Sequence, residues 1–219
     1  MLLRYFAYVV SLTLILTCNA QTDARRVTET LRVANGGQYG SWTTDEFCPP
    51  HQFAVGYDMK IEPYQGITGD DTTLNAIALV CSDIERQHFG EKAVTSGQGP
   101  FGDWKGRVTC NQPIGSAAFL SAFDLEVEGP QGRLDDTAAG WVKFKCTQMD
   151  DGSVQDLVKD PGHNTGSWGG WSSFCPRGSA ICGLQTRIEP NQGNGDDTAL
   201  NDVIFYCCAL DEGGSVVGK

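Results

Sequence analysis

Beyond its first twenty positions this 219-residue chain has no long hydrophobic run, no stretch of helical period and no cluster of basic residues. No later segment reaches the roughly 18 consecutive apolar residues of a transmembrane helix, so no membrane partner is expected. With a net charge of −11, scattered Lys and Arg cannot track a phosphate backbone, which argues against nucleic acid. No Asn-x-Ser/Thr sequon occurs, and N-glycosylation is not expected. Signatures of catalysis are missing too. There is no Gly-x-Ser-x-Gly elbow and no His within a motif. Cys-x₂-Cys is absent, and His51, His88 and His163 stand apart, so no metal or other cofactor is expected.

What is present begins with an export signal. Arg4, the mostly apolar run from Val9 to Leu16 and the small residues around Cys18-Asn19-Ala20 predict a secretory signal peptide over 1–20. Losing Arg4 takes the net charge from −11 to −12, and about 199 residues remain, enough for a sizeable core. Such acidity favours solubility and basic partners. Of nine cysteines, eight survive removal of Cys18, an even number suited to four disulfides in an oxidising compartment.

The rest of the chain repeats itself three times. The copies open at Gly37-Gln38-Tyr39-Gly40-Ser41-Trp42, Gly99-Pro100-Phe101-Gly102-Asp103-Trp104 and Gly166-Ser167-Trp168-Gly169-Gly170-Trp171. Each then has a Cys, an alternating run, an acidic turn ending Asp-Asp-Thr, and a second Cys. From the second Asp to that Cys is ten residues every time: Asp71 to Cys81, Asp136 to Cys146, Asp197 to Cys207. Constant spacing with changing residues marks duplicated structure. The chain is therefore expected to form one domain over 21–208, with repeats at about 28–81, 93–146 and 160–208, and a disordered acidic tail over 209–219.

Within each copy the period is two. Phe53, Val55, Tyr57, Met59 and Ile61 alternate with smaller or polar residues, as do Phe119, Phe123, Leu125 and Val127. Val142-Lys143-Phe144-Lys145 sets apolar groups on one face and ammonium groups on the other. These runs predict half-buried antiparallel strands and an all-β fold. No copy can bury its apolar face alone, so three sheets are expected to pack around a shared axis. Asn75, Gly140 and Asn201 occupy equivalent places after the acidic turn. Both residue types tolerate a left-handed backbone, which predicts a bulge or turn entering the last strand.

Repeat equivalence predicts bridges Cys48–Cys81 and Cys110–Cys146. For the third copy two solutions stand. Equivalence pairs Cys175 with Cys207 and Cys182 with Cys208. Strand parity, with Cys182 at the inward position of Val55, favours Cys182 with Cys207 and Cys175 with Cys208.

The Gly-x-Trp openings, the Gly195–Asn201 segment Gly-Asp-Asp-Thr-Ala-Leu-Asn and the Cys182–Thr186 run Cys-Gly-Leu-Gln-Thr resemble the vitelline membrane outer layer protein 1 family. The resemblance runs from about Thr28 to Cys208. It implies a β-prism of three Greek-key sheets about a pseudo-threefold axis, and secretion into an egg's outer layer or another extracellular fluid. It also implies a link to N-acetylglucosamine oligosaccharides. Where the other copies carry Leu-Asn, the second has Thr137-Ala138-Ala139-Gly140-Trp141.

Glycoside hydrolysis needs two carboxyl groups of different character across one bond. Glu62 with Asp70 and Asp71, Glu128 with Asp135 and Asp136, and Glu189 with Asp196 and Asp197 would supply such pairs. Threefold repetition argues instead for turn-building through Asx-type hydrogen bonds. Calcium is not expected, because the spaced Asp-x-Asp-x-Asp-Gly loop is missing. Trp42, Trp104 and Trp171 share a position in the opening motif and are expected in the core or over the disulfides. Trp168 then matches Tyr39 and Phe101, while Trp141 has no counterpart. The candidate glycan-binding residues are Asp70, Asp71, Asp135, Asp136, Asp196, Asp197, Trp141 and Trp168. The leading expectation is a non-catalytic extracellular structural protein whose partners are coat proteins, basic ones included. A module binding N-acetylglucosamine-containing glycans comes second, and a glycan-processing enzyme third.

Overall fold

The structure, a computed structural model, describes residues 25–63, 72–85, 88–111, 117–129, 139–162, 166–190 and 198–210. The expected signal peptide, the tail beyond 210 and all six paired aspartates lie outside the described residues.

Every described element is a strand. The first seven are β1 (Val27–Leu31), β2 (Ser41–Trp42), β3 (Glu46–Phe47), β4 (Gln52–Ile61), β5 (Leu74–Asp83), β6 (Lys92–Val94) and β7 (Asp103–Trp104). Then follow β8 (Val108–Thr109), β9 (Ala118–Val127), β10 (Ala139–Gln148), β11 (Val154–Leu157), β12 (Ser167–Trp168), β13 (Ser179–Ile188) and β14 (Leu200–Ala209). Three antiparallel sheets result, ordered β6-β5-β4-β7, β11-β10-β9-β12 and β1-β14-β13-β2, with β8 also on β4 and β3 also on β13. In the second sheet β9, β10 and β11 are consecutive neighbours and β12 returns to the far side of β9, the Greek-key order. The fold is a β-prism of three such sheets.

The sheets do not coincide with the sequence repeats. Each long hairpin recruits its edge from the following copy, so the Gly-x-Trp openings pair with the preceding hairpin: β7 with β4, β12 with β9. The third hairpin has no following copy, and the N-terminal strands β1 and β2 close it. Both ends of the repeat region thus meet in one sheet.

The three sheets enclose one core. Tyr57, Met59 and Ile61 meet Phe123 and Leu125, Leu184, and the partner-strand residues Ile77, Leu79, Val142, Phe144, Val203 and Phe205. Ring contacts join the sheets: Tyr57 to Phe144 at 4.7 Å and Phe123 to Phe205 at 4.7 Å between centroids. The Tyr57 hydroxyl, held inside, accepts a hydrogen bond from the Lys159 amide at 2.8 Å. Burial pushes its pKa above the ordinary tyrosine value. Val142 and Phe144 point inward and Lys143 and Lys145 outward, as the alternation predicts. The wet outer face does not hold everywhere, since β5 is buried along its whole length.

Strict alternation fails at one place in each long strand. The ladder slips between Ala54 and Gly56, between Ala122 and Leu120, and between Ile181 and Gly183, leaving Val55, Ser121 and Cys182 as the extra residues. A bulge of one residue reverses the side-chain parity beyond it. Phe53, Val55, Phe119, Ala180 and Cys182 therefore form a second buried cluster, while Ala54, Leu120 and Ile181 face the main core. Gly56 and Gly183 sit at two of these bulges, where a Cβ would lie 2.1 Å from the Val108 carbonyl oxygen and 2.5 Å from the Phe47 ring. Ala122 stands at the same place in the second sheet, which has no second short edge strand among the described residues.

The bulges also decide the disulfides. Bridges join Cys48–Cys81, Cys110–Cys146, Cys175–Cys207 and Cys182–Cys208. Repeat equivalence holds, and the parity pairing of Cys182 with Cys207 is corrected. Cys182 is the bulged residue and joins Cys208 in the second cluster, whereas Cys207 faces the main core.

Candidate functional site

The acidic turns first show where carboxylates are already engaged. The Thr72 hydroxyl donates to Glu62 Oε2 at 2.5 Å and accepts from Asn75 Nδ2 at 2.6 Å. Asn75 Oδ1 in turn accepts the Phe101 amide at 3.2 Å. The third copy repeats the chain: Thr198 Oγ1 to Glu189 Oε2 at 2.6 Å, Asn201 Nδ2 to Thr198 Oγ1 at 2.6 Å, the Tyr39 amide to Asn201 Oδ1 at 3.2 Å. Both asparagines stand at a slip in the ladder, as does Gly140. The left-handed residues, however, are Thr73 (φ 49°) and Ala199 (φ 46°), two positions earlier. Glu–Thr–Asn thus fastens the opening of the next copy to the hairpin. With Gly140 in place of Asn, the second sheet uses Glu126, whose Oε1 accepts the Gly166 amide at 2.7 Å.

The tryptophans depart furthest from expectation. Trp42, Trp104 and Trp168 pair with Arg187, Lys60 and Glu126, the same register in three sheets. Trp168, and not Trp171, is the structural counterpart of Trp42 and Trp104. Gly-Ser-Trp-Gly-Gly-Trp contains two Gly-x-Trp triplets, which makes the motif ambiguous. Counting to the next cysteine resolves it: six residues from Trp42 and Trp104, seven from Trp168, four from Trp171. Nor are these side chains in the core. Trp42 is 37% exposed and Trp104 41%.

Among the described residues, the second sheet builds a tryptophan–lysine cluster on its outer face. The Trp141 and Trp168 rings lie 5.1 Å apart between centroids. The Lys143 ammonium sits 3.7 Å from the Trp168 centroid and 5.1 Å from that of Trp171, and Lys145 stands 4.2 Å from Trp171. Lys143 also pairs with Asp124 Oδ2 at 3.3 Å, and Lys145 with Asp156. Asp124 and Glu126 are buried beneath this layer. At the places of Trp141 and Lys143 the other sheets carry Ala76 and Ala78, or Asp202 and Ile204. Sequence reasoning found Trp141 and Trp168 but missed Asp124, Lys143, Lys145 and Trp171. Its available signal was charge on the outward positions of strands whose counterparts are small or apolar.

Trp168 also lines a cleft of about 620 Å³ between the 34–39 connection and the end of β9. Tyr39, Gln38, Asn35, Glu128 and Asn201 are among its polar lining. Asn35 crosses from the third sheet to the second, donating from Nδ2 to the Leu125 carbonyl at 2.9 Å. Behind the wall, burial pushes the Asp202 carboxyl above its ordinary value, against the pull of the Val203 amide, Arg32 and Arg187. Among the described residues no group of three His, Cys, Asp or Glu side chains is placed to hold a metal.

Three Greek-key sheets around one core, each tied by at least one disulfide, define a disulfide-stapled β-prism protein. A family model, Vitelline membrane outer layer protein I, matches residues 29–210. The human vitelline membrane outer layer protein 1 homolog is 42% identical over 194 residues, covering 88% of this chain and 89% of its own. The mouse homolog is 42% identical over 177 residues, with 81% and 82% covered. The chain belongs to this family. Solved structures similar to it include an artocarpin–mannopentose complex (TM-score 0.46, 12% identity, 83% of this chain and 97% of that one). Calystegia sepium agglutinin is another (TM-score 0.47, 12% identity, 84% and 97%). Likenesses of this size say nothing about what the chain binds.

Proposed function

We propose that the protein is a secreted, non-catalytic structural component of an extracellular layer, of the kind its family name describes. The observation that carries this reading is family membership across residues 29–210, on a body whose neighbouring sheets are joined by disulfides. Such bridges suit an oxidising extracellular setting. Engagement of Glu62 and Glu189 by threonine hydroxyls supports a structural use of the repeated acids. The acidic surface favours basic coat proteins as partners. Fractionation of expressing cells and their surrounding layer tests the proposal. Protein recovered from the layer, cut near residue 20 and bearing four disulfides, is the expected result. Retention inside the cell in reduced form would overturn it.

A second reading has its own support. The Trp141–Trp168–Trp171 cluster, continuous with the Tyr39 cleft through Trp168, offers flat indoles of the kind that hold the apolar face of a sugar. On this reading the prism also holds N-acetylglucosamine-containing glycans within the layer.

A further inference from the structure

On the outer face of the second sheet, Asp124 Oδ1 and Trp141 Nε1 are buried with no hydrogen-bond partner among the described residues. They sit in successive outward rows of the ladder, because Asp124 pairs with Lys143 and Trp141 with Glu126. One outward row is roughly 7 Å from the next. The fold does not demand either group. The third sheet has Gln185 in place of Asp124, and the counterparts of Trp141 are Ala76 and Asp202. In the first sheet Asp58 is spent on its neighbour, accepting the Met59 amide at 2.8 Å. A buried carboxylate oxygen without a donor and an indole N–H without an acceptor are both unfavourable.

Resting on the glycan reading, we propose that Asp124 and Trp141 are the polar, specificity-determining groups of a site for a neutral pyranose ring. Asp124 Oδ1 accepts a hydrogen bond from one sugar hydroxyl, and Trp141 Nε1 donates one to a second sugar oxygen. A ring with hydroxyls on adjacent carbons spans the separation, and each hydroxyl can donate and accept. Trp168 and Trp171 supply the apolar contact, and Lys143 moves aside from Trp168 while keeping its pairing to Asp124. Lys143 is paired with Asp124 and Lys145 with Asp156, so the layer offers no unpaired ammonium to draw a sulfate or carboxylate, and the preferred unit is uncharged.

Calorimetric titration of the full mature chain with the N-acetylglucosamine tetramer tests this, beside Trp141→Phe and Asp124→Asn. Trp141→Phe keeps the ring and removes only the donor. Each variant is expected to bind about tenfold more weakly, the effect of one lost hydrogen bond. A sulfated oligosaccharide is expected to bind the wild type more weakly than the tetramer. Should Asp124→Asn fail to fold, Trp141→Phe alone decides, checked by the ¹⁵N shift of the Trp141 indole on binding. Undiminished affinity in Trp141→Phe, with that signal unmoved, would overturn the assignment and leave the glycan reading standing. A wild-type protein that binds no tetramer would overturn both.

Discussion

A threonine and an asparagine decide what the repeated carboxylates are for. Glu62 and Glu189 each meet a threonine hydroxyl, and the asparagine beyond fastens the next copy. The spacing marks these residues in the sequence as fold-building, because a residue present in every copy must first satisfy every copy's backbone, but the Glu–Thr–Asn contacts themselves needed the folded turn. The exposure of Trp42 and Trp104 was not legible, since an edge strand and an inner strand share the same alternation. Asp83 shows the same economy of charge elsewhere. Its Oδ2 lies 2.6 Å from His88 Nδ1, and this hydrogen bond, aided by Glu91, raises the His88 pKa above 6.5. Protonated His88 therefore favours the folded state at pH below 6.5, and the benefit is lost as pH rises through the raised value. An NMR titration is expected to place the His88 midpoint above 6.5, and Asp83→Asn to return it towards 6.5. An unchanged midpoint in the variant would show that another group sets it.

Among the elements, the long hairpins were readable and their bulges were not. Period two identifies β4, β9 and β13, but a bulge adds one residue without any residue type that marks it. Val55, Ser121 and Cys182 share a place and nothing else chemically. That one hidden residue reverses parity and sends Cys182 to Cys208. The two bridges that end in β14 consequently cross in sequence, with Cys207 and Cys208 adjacent. Once Cys175–Cys207 is closed, Cys182–Cys208 restricts only a short remaining loop. Loop-closure entropy then assigns about 2.5 kcal/mol to this second bridge and about 4 kcal/mol to Cys110–Cys146. Replacing each pair by alanine should lower the denaturant midpoint less for Cys182/Cys208 than for Cys110/Cys146. The reverse order would mean that Cys182–Cys208 acts through packing in its buried cluster.

Taken whole, the molecule is a ring closed by exchange: every hairpin borrows its edge from the next copy, and the last borrows from the first. The connections lock in the same cyclic sense. Asn35 reaches the second sheet at Leu125, Ser96 accepts the Thr186 amide of the third, and the Lys159 amide binds Tyr57 of the first. Interface sizes compensate around the ring, with Asn35 against Gly169 and Gly97 against Thr43. Repetition announced this body in the sequence, whereas the joining of hairpins to foreign edges needed three-dimensional pairing. On the glycan proposal, binding belongs where the copies differ. Threefold features build the prism, and only the second sheet departs from them with Trp141, Lys143 and Asp124. The chain's five tryptophans give five indole N–H signals, distributed over all three sheets. Recording those signals while the N-acetylglucosamine tetramer is added is the most direct measurement. Trp141, Trp168 and Trp171 are expected to shift saturably while Trp42 and Trp104 stay still and no cleaved sugar accumulates. Equal shifts at Trp42, Trp104 and Trp168, or the appearance of shorter sugars, would contradict a single non-catalytic site placed where the copies differ.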